Sequence, residues 1–129
     1  MSAPDTHSVT DVADELFGAI ERSDIGAVER LFSPDIAVWK SGDRADNDRP
    51  RSVKIINWFI TTTAERRYEI LDRRLFDGGF VQQHILHATG HGGASIAMRV
   101  CIVIAVGADG LITRVDEYFD PAEIAPLMR

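Results

Sequence analysis

Residues 94–119 read ASIAMRVCIVIAVGADGLITRVDEYF and carry the clearest structural pattern in the chain. Successive side chains of a strand point to opposite faces of the sheet, so every second residue shares a face. The segment Gly107–Gly110 has the composition of a hairpin turn, and residues 111–119 are predicted to return as an antiparallel neighbour. One face of the first strand is wholly apolar, and we predict that it lies in the core. It consists of Met98, Val100, Ile102, Ile104 and Val106.

The returning strand places a carboxylate on a face that is otherwise predicted to be core. Its predicted core residues are Leu111, Thr113, Val115, Glu117 and Phe119. A carboxylate in apolar surroundings must be paired, hydrogen-bonded or protonated, which makes Glu117 a candidate functional residue. The alternative is a structural glutamate that reaches water or binds a helix N-terminus.

The outward face of the strand at 94–106 is unusually apolar for a solvent-exposed surface. Its residues are small or apolar apart from a single arginine. We predict that this face contacts a second copy of the chain in a homodimer. It consists of Ala97, Arg99, Cys101, Val103 and Ala105.

Helical patterns precede the strands along the chain, after a polar leader at residues 1–8. The predicted segments are a helix from Ser8 or Thr10 to about Arg22, a helix at 24–32 capped by Asp24, a strand at 36–40, a polar loop at 40–51, a helix capped by Ser52, and strands at 67–76 and 80–89. Helices followed by an antiparallel meander indicate a single α+β domain over residues 1–129, with three helices packed on a curved, mainly antiparallel sheet.

The strand at 80–89 has two faces that periodicity does not distinguish. Val81, Gln83, Ile85 and His87 share one face, and Phe80, Gln82, His84 and Leu86 share the other. If the first face is inside, His87 enters the core, where a neutral imidazole can act as base, acid or hydrogen-bond donor; otherwise it is structural. Lys40, on the side of Ile36 and Val38, is either a cation at a pocket mouth or a rim lysine with a buried stem.

The bulk composition argues against several classes of function. The net charge is −6 and no Lys/Arg cluster is present, which argues against nucleic acid and anionic membranes as partners. Cys101 is the only cysteine, so no internal disulfide or Cys-x-x-Cys metal motif exists, and we expect neither metal nor cofactor. No segment near Met1 is typical of a secretory signal and no apolar run is long enough to span a membrane, so we expect a cytoplasmic protein.

The order of the elements, together with three stretches of sequence, resembles the nuclear transport factor-like superfamily. The stretches are SDIGAVERLFSPDIAVW at 23–39, GADG at 107–110 and ITRVDEYFDPAE at 112–123. The superfamily includes SnoaL-like polyketide cyclases, ketosteroid isomerases and limonene epoxide hydrolases. The resemblance extends from about Val9 to Leu127 and implies a helix-lined cone whose inner wall carries the catalytic groups.

The same resemblance supports Glu117 and alters its expected partners. Epoxide hydrolases of this superfamily carry an acidic catalytic residue at the position of Glu117, and the base of SnoaL-like cyclases lies near it. The Arg and Asp of the hydrolases correspond to Ile85 and His87. In ketosteroid isomerases, the proton-shuttling Asp and the two oxyanion donors correspond to Lys40, Leu16 and Ile102.

These observations lead to one leading hypothesis and two alternatives. The leading hypothesis is a cofactor-independent isomerase or cyclase that moves a proton on a hydrophobic carbonyl, steroid-like or polyketide-like substrate. Glu117 is the expected base, His87 the donor to the developing oxyanion and Lys40 a cation at the mouth. The alternatives are epoxide hydrolysis, with Glu117 and His87 activating water, and a non-catalytic domain for ligand binding or assembly. The expected pocket wall is Trp39, Trp58, Gln83, Ile85, Met98, Ile102, Val115 and Phe119.

Overall fold

The computed structural model describes residues 6–128, which form one five-stranded sheet, three α-helices and a C-terminal 3₁₀-helix. The elements are α1 (Thr6–Glu21), α2 (Ile25–Leu31), β1 (Phe32–Lys40), α3 (Arg49–Thr62), β2 (Thr63–Phe76), β3 (Gly79–Gly90), β4 (Ser95–Val106), β5 (Ile112–Tyr118) and the 3₁₀-helix (Pro121–Met128). The predicted α+β fold is confirmed.

The sheet has the strand order β1-β5-β4-β3-β2. Strands β2 to β5 form an antiparallel meander, and β1 pairs in parallel with β5. The apolar face of β4 is buried, as predicted, and it packs with residues of α1, α2 and α3 in a single core cluster. Residues 97, 99, 101, 103 and 105 lie on the other face of β4, so their orientation agrees with the prediction; their role as a contact between two copies stays a prediction.

The first helix starts earlier than the sequence pattern indicated, because Thr6 already belongs to α1. Residues 1–5 of the predicted leader lie outside the described part of the chain, and residues 6–8 are helical, so the boundary at residue 8 was wrong. The predicted cap of α2 is confirmed, since the side chain of Asp24 accepts a 3.1 Å hydrogen bond from the backbone N–H of Ala27.

The third helix begins three residues before the predicted cap. Asp48 is its N-cap and accepts a 3.0 Å hydrogen bond from the backbone N–H of Arg51. Pro50 then fits the first turn, where its missing N–H has no intrahelical partner to lose. Ser52, which was expected to cap the helix, is buried inside it instead.

A β-bulge in β5 changes which of its residues are buried. Val106 pairs with Ile112 and Ala105 pairs with Arg114, so Thr113 is an extra residue on the β5 side. The bulge lets both Ile112 and Val115 face the core, while Thr113 is exposed. The expectation that Thr113 and Leu111 belong to the core face was therefore wrong, whereas Val115 is buried as predicted.

The hairpin between β2 and β3 depends on a glycine at position 79. A Cβ atom there would lie 2.2 Å from the carbonyl oxygen of Ile104 and 2.7 Å from the ring of Phe76. We expect Gly79→Ala to lower the free energy of unfolding by about 1–3 kcal/mol, because β3 must shift against β4 to admit the methyl group. Gly92→Ala is the matched control, since a Cβ atom at position 92 meets nothing within 4 Å. Urea denaturation of both variants measures the difference, and equal stabilities would contradict this account.

Candidate active site

The core of the fold contains a cavity of about 430 Å³, within the usual range of small-molecule sites. Helices α1 and α3, the inner face of the sheet and the 3₁₀-helix supply its lining, which is mostly apolar. Five of the predicted wall residues line it: Trp58, Met98, Ile102, Val115 and Phe119. Trp58 lies at the rim, with 40% of its surface exposed. Ser41 and Asn47 of the polar loop after β1 also line the cavity.

Two of the three predicted catalytic residues meet in this cavity. Lys40 ends β1 and Glu117 lies near the end of β5, and the two are register partners in the parallel pair. Both side chains line the cavity. Ser41 fixes the backbone here, since its N–H donates a 3.0 Å hydrogen bond to the carbonyl oxygen of Glu117 and its hydroxyl accepts a 3.0 Å hydrogen bond from the N–H of Phe119.

The carboxyl group of Glu117 is partly exposed, lines the cavity and receives no hydrogen bond from any residue that the structure describes. Burial raises the pKa of Glu117 to about 7; the positive charge of Lys40 lowers it in part and the negative charge of Asp43 raises it further. A carboxyl group with this pKa is both ionised and protonated in comparable amounts at neutral pH. It can therefore accept and return a proton there.

Lys40 is bound by the loop that follows it. Its ammonium Nζ lies 2.7 Å from Oδ1 of Asp43, and its backbone N–H donates a 3.1 Å hydrogen bond to Oδ2 of the same residue. Asn47 donates a further 2.8 Å hydrogen bond to Asp43 from its side-chain amide. Burial alone would raise the pKa of Asp43, but the hydrogen bonds from Lys40 and Asn47 hold it below its ordinary value. Asp43 is therefore ionised at neutral pH.

Tyr68 is a further polar residue of the cavity, and it was not predicted from the sequence. Its ring packs against Phe17 at 4.9 Å and His84 at 5.0 Å between centroids, and the residue lines the cavity. Burial raises the pKa of Tyr68, and the negative charge of Glu117 raises it further, so the phenol stays protonated as a hydrogen-bond donor. The pairing of β2 with β3 explains the inward position of Tyr68. Its register partner is Leu86, which in turn pairs with the core residue Met98.

His87 lies on the outer face of the sheet, so the expectation that it enters the pocket was wrong. It pairs across the strands with Ala97 of the outer β4 face, and its Nε2 lies 2.8 Å from Oε1 of Glu69. Gln83 and Ile85 share that face and do not line the cavity, so they too were misplaced as wall residues. Since the resemblance places the hydrolase pair on an inner wall, Ile85 and His87 are not its counterparts.

Trp39 also lies outside the cavity, contrary to expectation. Its neighbours Val38 and Lys40 line the cavity, so strand alternation turns Trp39 to the other face. There its indole N–H donates a 3.0 Å hydrogen bond to the carbonyl oxygen of Asp43, and its ring lies 5.3 Å from that of Tyr118.

The inner face of β3 contains a buried polar network behind Tyr68. Gln82 lies 2.8 Å from Nδ1 of His84 and accepts a 2.8 Å hydrogen bond from Nε of Arg73, and Arg73 also pairs with Asp14 of α1 at 2.8 Å. Burial, and then the charge of Arg73, lower the pKa of His84 to about 4, so the imidazole is neutral at pH 7. These residues support the wall from outside the cavity.

Residues 6–128 meet neither the requirements of a metal site nor those of a membrane-spanning helix. No group of three or more His, Cys, Asp and Glu side chains there is arranged to hold a metal ion. Within the same residues, every helix is too short or too polar to cross a lipid bilayer.

The raised pKa of Glu117 implies a cost to stability that depends on pH. The folded state holds the carboxyl proton up to about pH 7, whereas the unfolded chain releases it near pH 4.5. Folding stability should therefore fall as the pH rises from 4.5 to 7 and then stay level as far as this group is concerned. We expect Glu117→Gln to raise the free energy of unfolding by up to about 3 kcal/mol at pH 8 and to change it little at pH 4.5.

Denaturant unfolding at several pH values measures this difference. The titration of His84 is common to both proteins and cancels in the comparison. The matched control is Glu65→Gln, which makes the same change of side chain at an exposed position of β2. A pH-independent effect of Glu117→Gln would show that Glu117 is solvated in the folded protein.

Solved structures with this fold cover nearly the whole chain. An LEH-like epoxide hydrolase from M. tuberculosis superposes with a TM-score of 0.79 at 17% identity, covering 98% of this chain and 93% of that one. AclR from Streptomyces galilaeus, described as a hydroxylase on a provisional basis, gives 0.82 at 14% identity, covering 96% and 83%. IdmH from Streptomyces antibioticus, proposed to be a polyketide cyclase, gives 0.76 at 16% identity, covering 92% and 96%. At these identities the likeness establishes the fold.

The sequence itself has no match among curated proteins. It does match the family described as the SnoaL-like domain over residues 13–115, which include α2, α3 and strands β1 to β4 entire. This protein therefore belongs to the SnoaL-like domain family.

Proposed function

We propose that this protein is a cofactor-independent isomerase or cyclase that moves a proton on a hydrophobic carbonyl compound. The proposal rests on the carboxyl group of Glu117, which lines a mostly apolar cavity. No residue that the structure describes donates a hydrogen bond to this group, and burial raises its pKa to about 7. A general base is most effective when its pKa lies near the working pH. The apolar lining and the volume of about 430 Å³ suit a small substrate with few polar groups.

In the proposed reaction, Glu117 removes a proton from the carbon next to a carbonyl group. The electron pair of the C–H bond forms the enolate C=C bond, and the carbonyl π electrons move to oxygen. In an isomerase, protonated Glu117 returns the proton to a different carbon atom. In a cyclase, the enolate carbon instead attacks a second carbonyl carbon, the π electrons of that carbonyl move to its oxygen, and the resulting alkoxide takes the proton back from protonated Glu117. Neither route changes the oxidation state of the substrate overall, so no redox cofactor is needed.

Tyr68 replaces His87 as the proposed donor to the enolate oxygen. Its phenol stays protonated, it lines the same cavity, and it is near enough to Glu117 to feel that charge. Lys40 keeps the proposed role of a cation that favours negative charge on the substrate, although its ammonium is shared with Asp43. IdmH offers a parallel, because a protein proposed to be a polyketide cyclase has the same fold.

The first prediction concerns the base. We expect the wild-type protein to catalyse exchange of α-protons for deuterium in D₂O on at least one member of a panel of apolar cyclic ketones and β-dicarbonyl compounds. Glu117→Gln should lower the exchange rate by about 10²-fold or more while substrate binding persists. Proton NMR follows the exchange, and ligand-observed NMR follows binding. Full exchange activity in Glu117→Gln would rule out Glu117 as the base.

The second prediction concerns the oxyanion donor. We expect Tyr68→Phe to lower kcat for the same exchange by about 10²-fold, with a smaller change in KM, because the lost hydrogen bond strengthens as charge develops on the oxygen. Tyr118→Phe is the matched control: Tyr118 is the only other tyrosine, is 49% exposed and lies on the outer face against Trp39. Equal effects of the two substitutions would remove Tyr68 from the mechanism.

Epoxide hydrolysis is the second candidate, and the presence of Tyr68 and Glu117 in one cavity favours it. A phenol can donate a hydrogen bond to an epoxide oxygen while a carboxylate takes a proton from the attacking water, which gives a diol. The fold is shared with an epoxide hydrolase from M. tuberculosis. Incubating apolar epoxides in H₂¹⁸O separates the two candidates, because one ¹⁸O atom in the diol indicates hydrolysis. Ligand binding unaffected by Glu117→Gln, with neither exchange nor diol formation, would instead indicate a non-catalytic binding domain.

A further inference from the structure

Lys40 lies beside two carboxylates and pairs with the one outside the proposed chemistry. In the parallel ladder it is the register partner of Glu117, yet in residues 6–128 its ammonium forms an ion pair only with Asp43, at 2.7 Å. Asp43 also accepts a hydrogen bond from the backbone N–H of Lys40, so one carboxylate binds both the backbone and the ammonium group of this residue.

The loop that carries Asp43 is held in place by several further contacts. Asn47 donates hydrogen bonds from its side chain to Asp43 at 2.8 Å and to the carbonyl oxygen of Val38 at 3.1 Å. The backbone groups of Val38 and Asn47 also bond to each other in both directions, at 3.0 and 2.7 Å. Trp39 donates to the carbonyl oxygen of Asp43. Asp43 is therefore a fixed acceptor, three residues after the lysine that it binds.

We propose that Asp43 is a positioning residue that holds the Lys40 ammonium away from Glu117 and thereby keeps the Glu117 carboxyl group free to act as a base. The catalytic consequence rests on the proposed function, whereas the arrangement of the three charges does not. Without Asp43, the nearest acidic group for the Lys40 ammonium would be its register partner. A Lys40–Glu117 ion pair would keep the carboxylate ionised and would make it a poor proton acceptor.

Lys40 and Asp43 are the charged residues that shift the pKa of Glu117. Among the described residues, the lining supplied by α1, α3, β3, β4 and the 3₁₀-helix contains no Asp, Glu, His, Lys or Arg side chain. From β2, Tyr68 faces the cavity and stays neutral, so it contributes no charge. Removing the Asp43 charge therefore acts in one direction through two routes. It removes a negative charge near Glu117, and it frees the positive charge of Lys40.

The test is a direct titration of Glu117 by NMR, using ¹³C-labelled side-chain carboxyl groups and Glu117→Gln to assign the signal. We expect Asp43→Asn to lower the pKa of Glu117 by about one unit or more, the usual effect of an opposite charge that comes within about 4–6 Å. Lys40→Met should shift it upward, because Asp43 then acts alone. In the Lys40→Met background, Asp43→Asn should produce a clearly smaller decrease than in the wild type, since no lysine remains to be released.

Asp46→Asn is the matched control for charge. Asp46 lies in the same loop, but its carboxylate pairs with Arg114 at 2.6 Å. We expect it to leave the titration of Glu117 nearly unchanged. If Asp43→Asn does not fold, Asp43→Ser keeps a small polar residue in the turn and serves for the same measurement. An unchanged pKa of Glu117 in the Asp43 variant, or a decrease equally large without Lys40, would overturn the proposal.

Deuterium exchange separates this inference from the proposed function. If both hold, the pH at which kcat/KM for exchange rises to half its maximum should move down with the pKa of Glu117 in Asp43→Asn, and the maximum rate should fall. A shift in the titration without exchange activity in any variant would support the charge arrangement and count against the proposed enzyme. Exchange activity with an unshifted titration would count against the role of Asp43 alone.

Discussion

The pairing register between β3 and β4 is the constraint on which the cavity depends. The apolar face of β4 must be buried, and antiparallel register partners point to the same side of a sheet. Leu86 pairs with Met98 and Phe80 with Ile104, so this face of β3 is carried inward with β4. A slip of one residue would exchange the faces and bring His87 inside in place of His84. The length of the connection determines which faces of β3 and β4 match, and here five residues separate the paired Thr89 and Ser95.

The inward face of β3 buries the polar side chains of Gln82 and His84, and burying them without hydrogen bonds would destabilise the fold. Hydrogen bonds within the network offset part of this cost. Gln82 and His84 are fully buried and bond to each other, and Gln82 also accepts a hydrogen bond from Arg73. Glu117 lacks such partners, so its ionised form remains disfavoured in the folded state. The same lack of partners leaves its oxygen atoms open to a ligand. The two polar sites thus differ in kind: Gln82 and His84 bond to each other, although His84 Nε2 and Arg73 Nη2 have no partner among the described residues, whereas Glu117 faces a cavity.

The sequence was sufficient for the fold class and for the two faces of β4, because both depend on alternation around strongly apolar residues. Alternation with Val115 also predicted the inward face of Glu117, but it did not predict the bulge at Thr113 that sets the register of this face against β4. It was insufficient for β3, where two polar and two apolar residues occupy each face and only the parity of the following loop distinguishes them. His87 was selected for its chemistry, but it is His84 that faces inward. The prediction that Trp39 lines the pocket was wrong for a different reason. A large aromatic side chain suits either face of β1, and here the ring of Trp39 packs against Tyr118 on the outer face of the sheet.

Tyr68 shows most clearly why local patterns do not reveal the whole site. With strands about 4.8 Å apart, β2 and β5 would be separated by about 14 Å across β3 and β4 in a flat sheet, so Tyr68 and Glu117 share a cavity because the sheet curves. Each also owes its face to a bulge. The extra residue Leu71 shifts the β2 register so that Tyr68 pairs with Leu86, and Thr113 shifts β5 so that Glu117 pairs with Ile102. Without these bulges, continuous pairing would turn Arg67 and Asp116 inward instead. The positions of Tyr68 and Glu117 in the cavity are therefore set by two irregularities in strand pairing, which re-aim side chains while leaving the apolar pattern of the sheet intact.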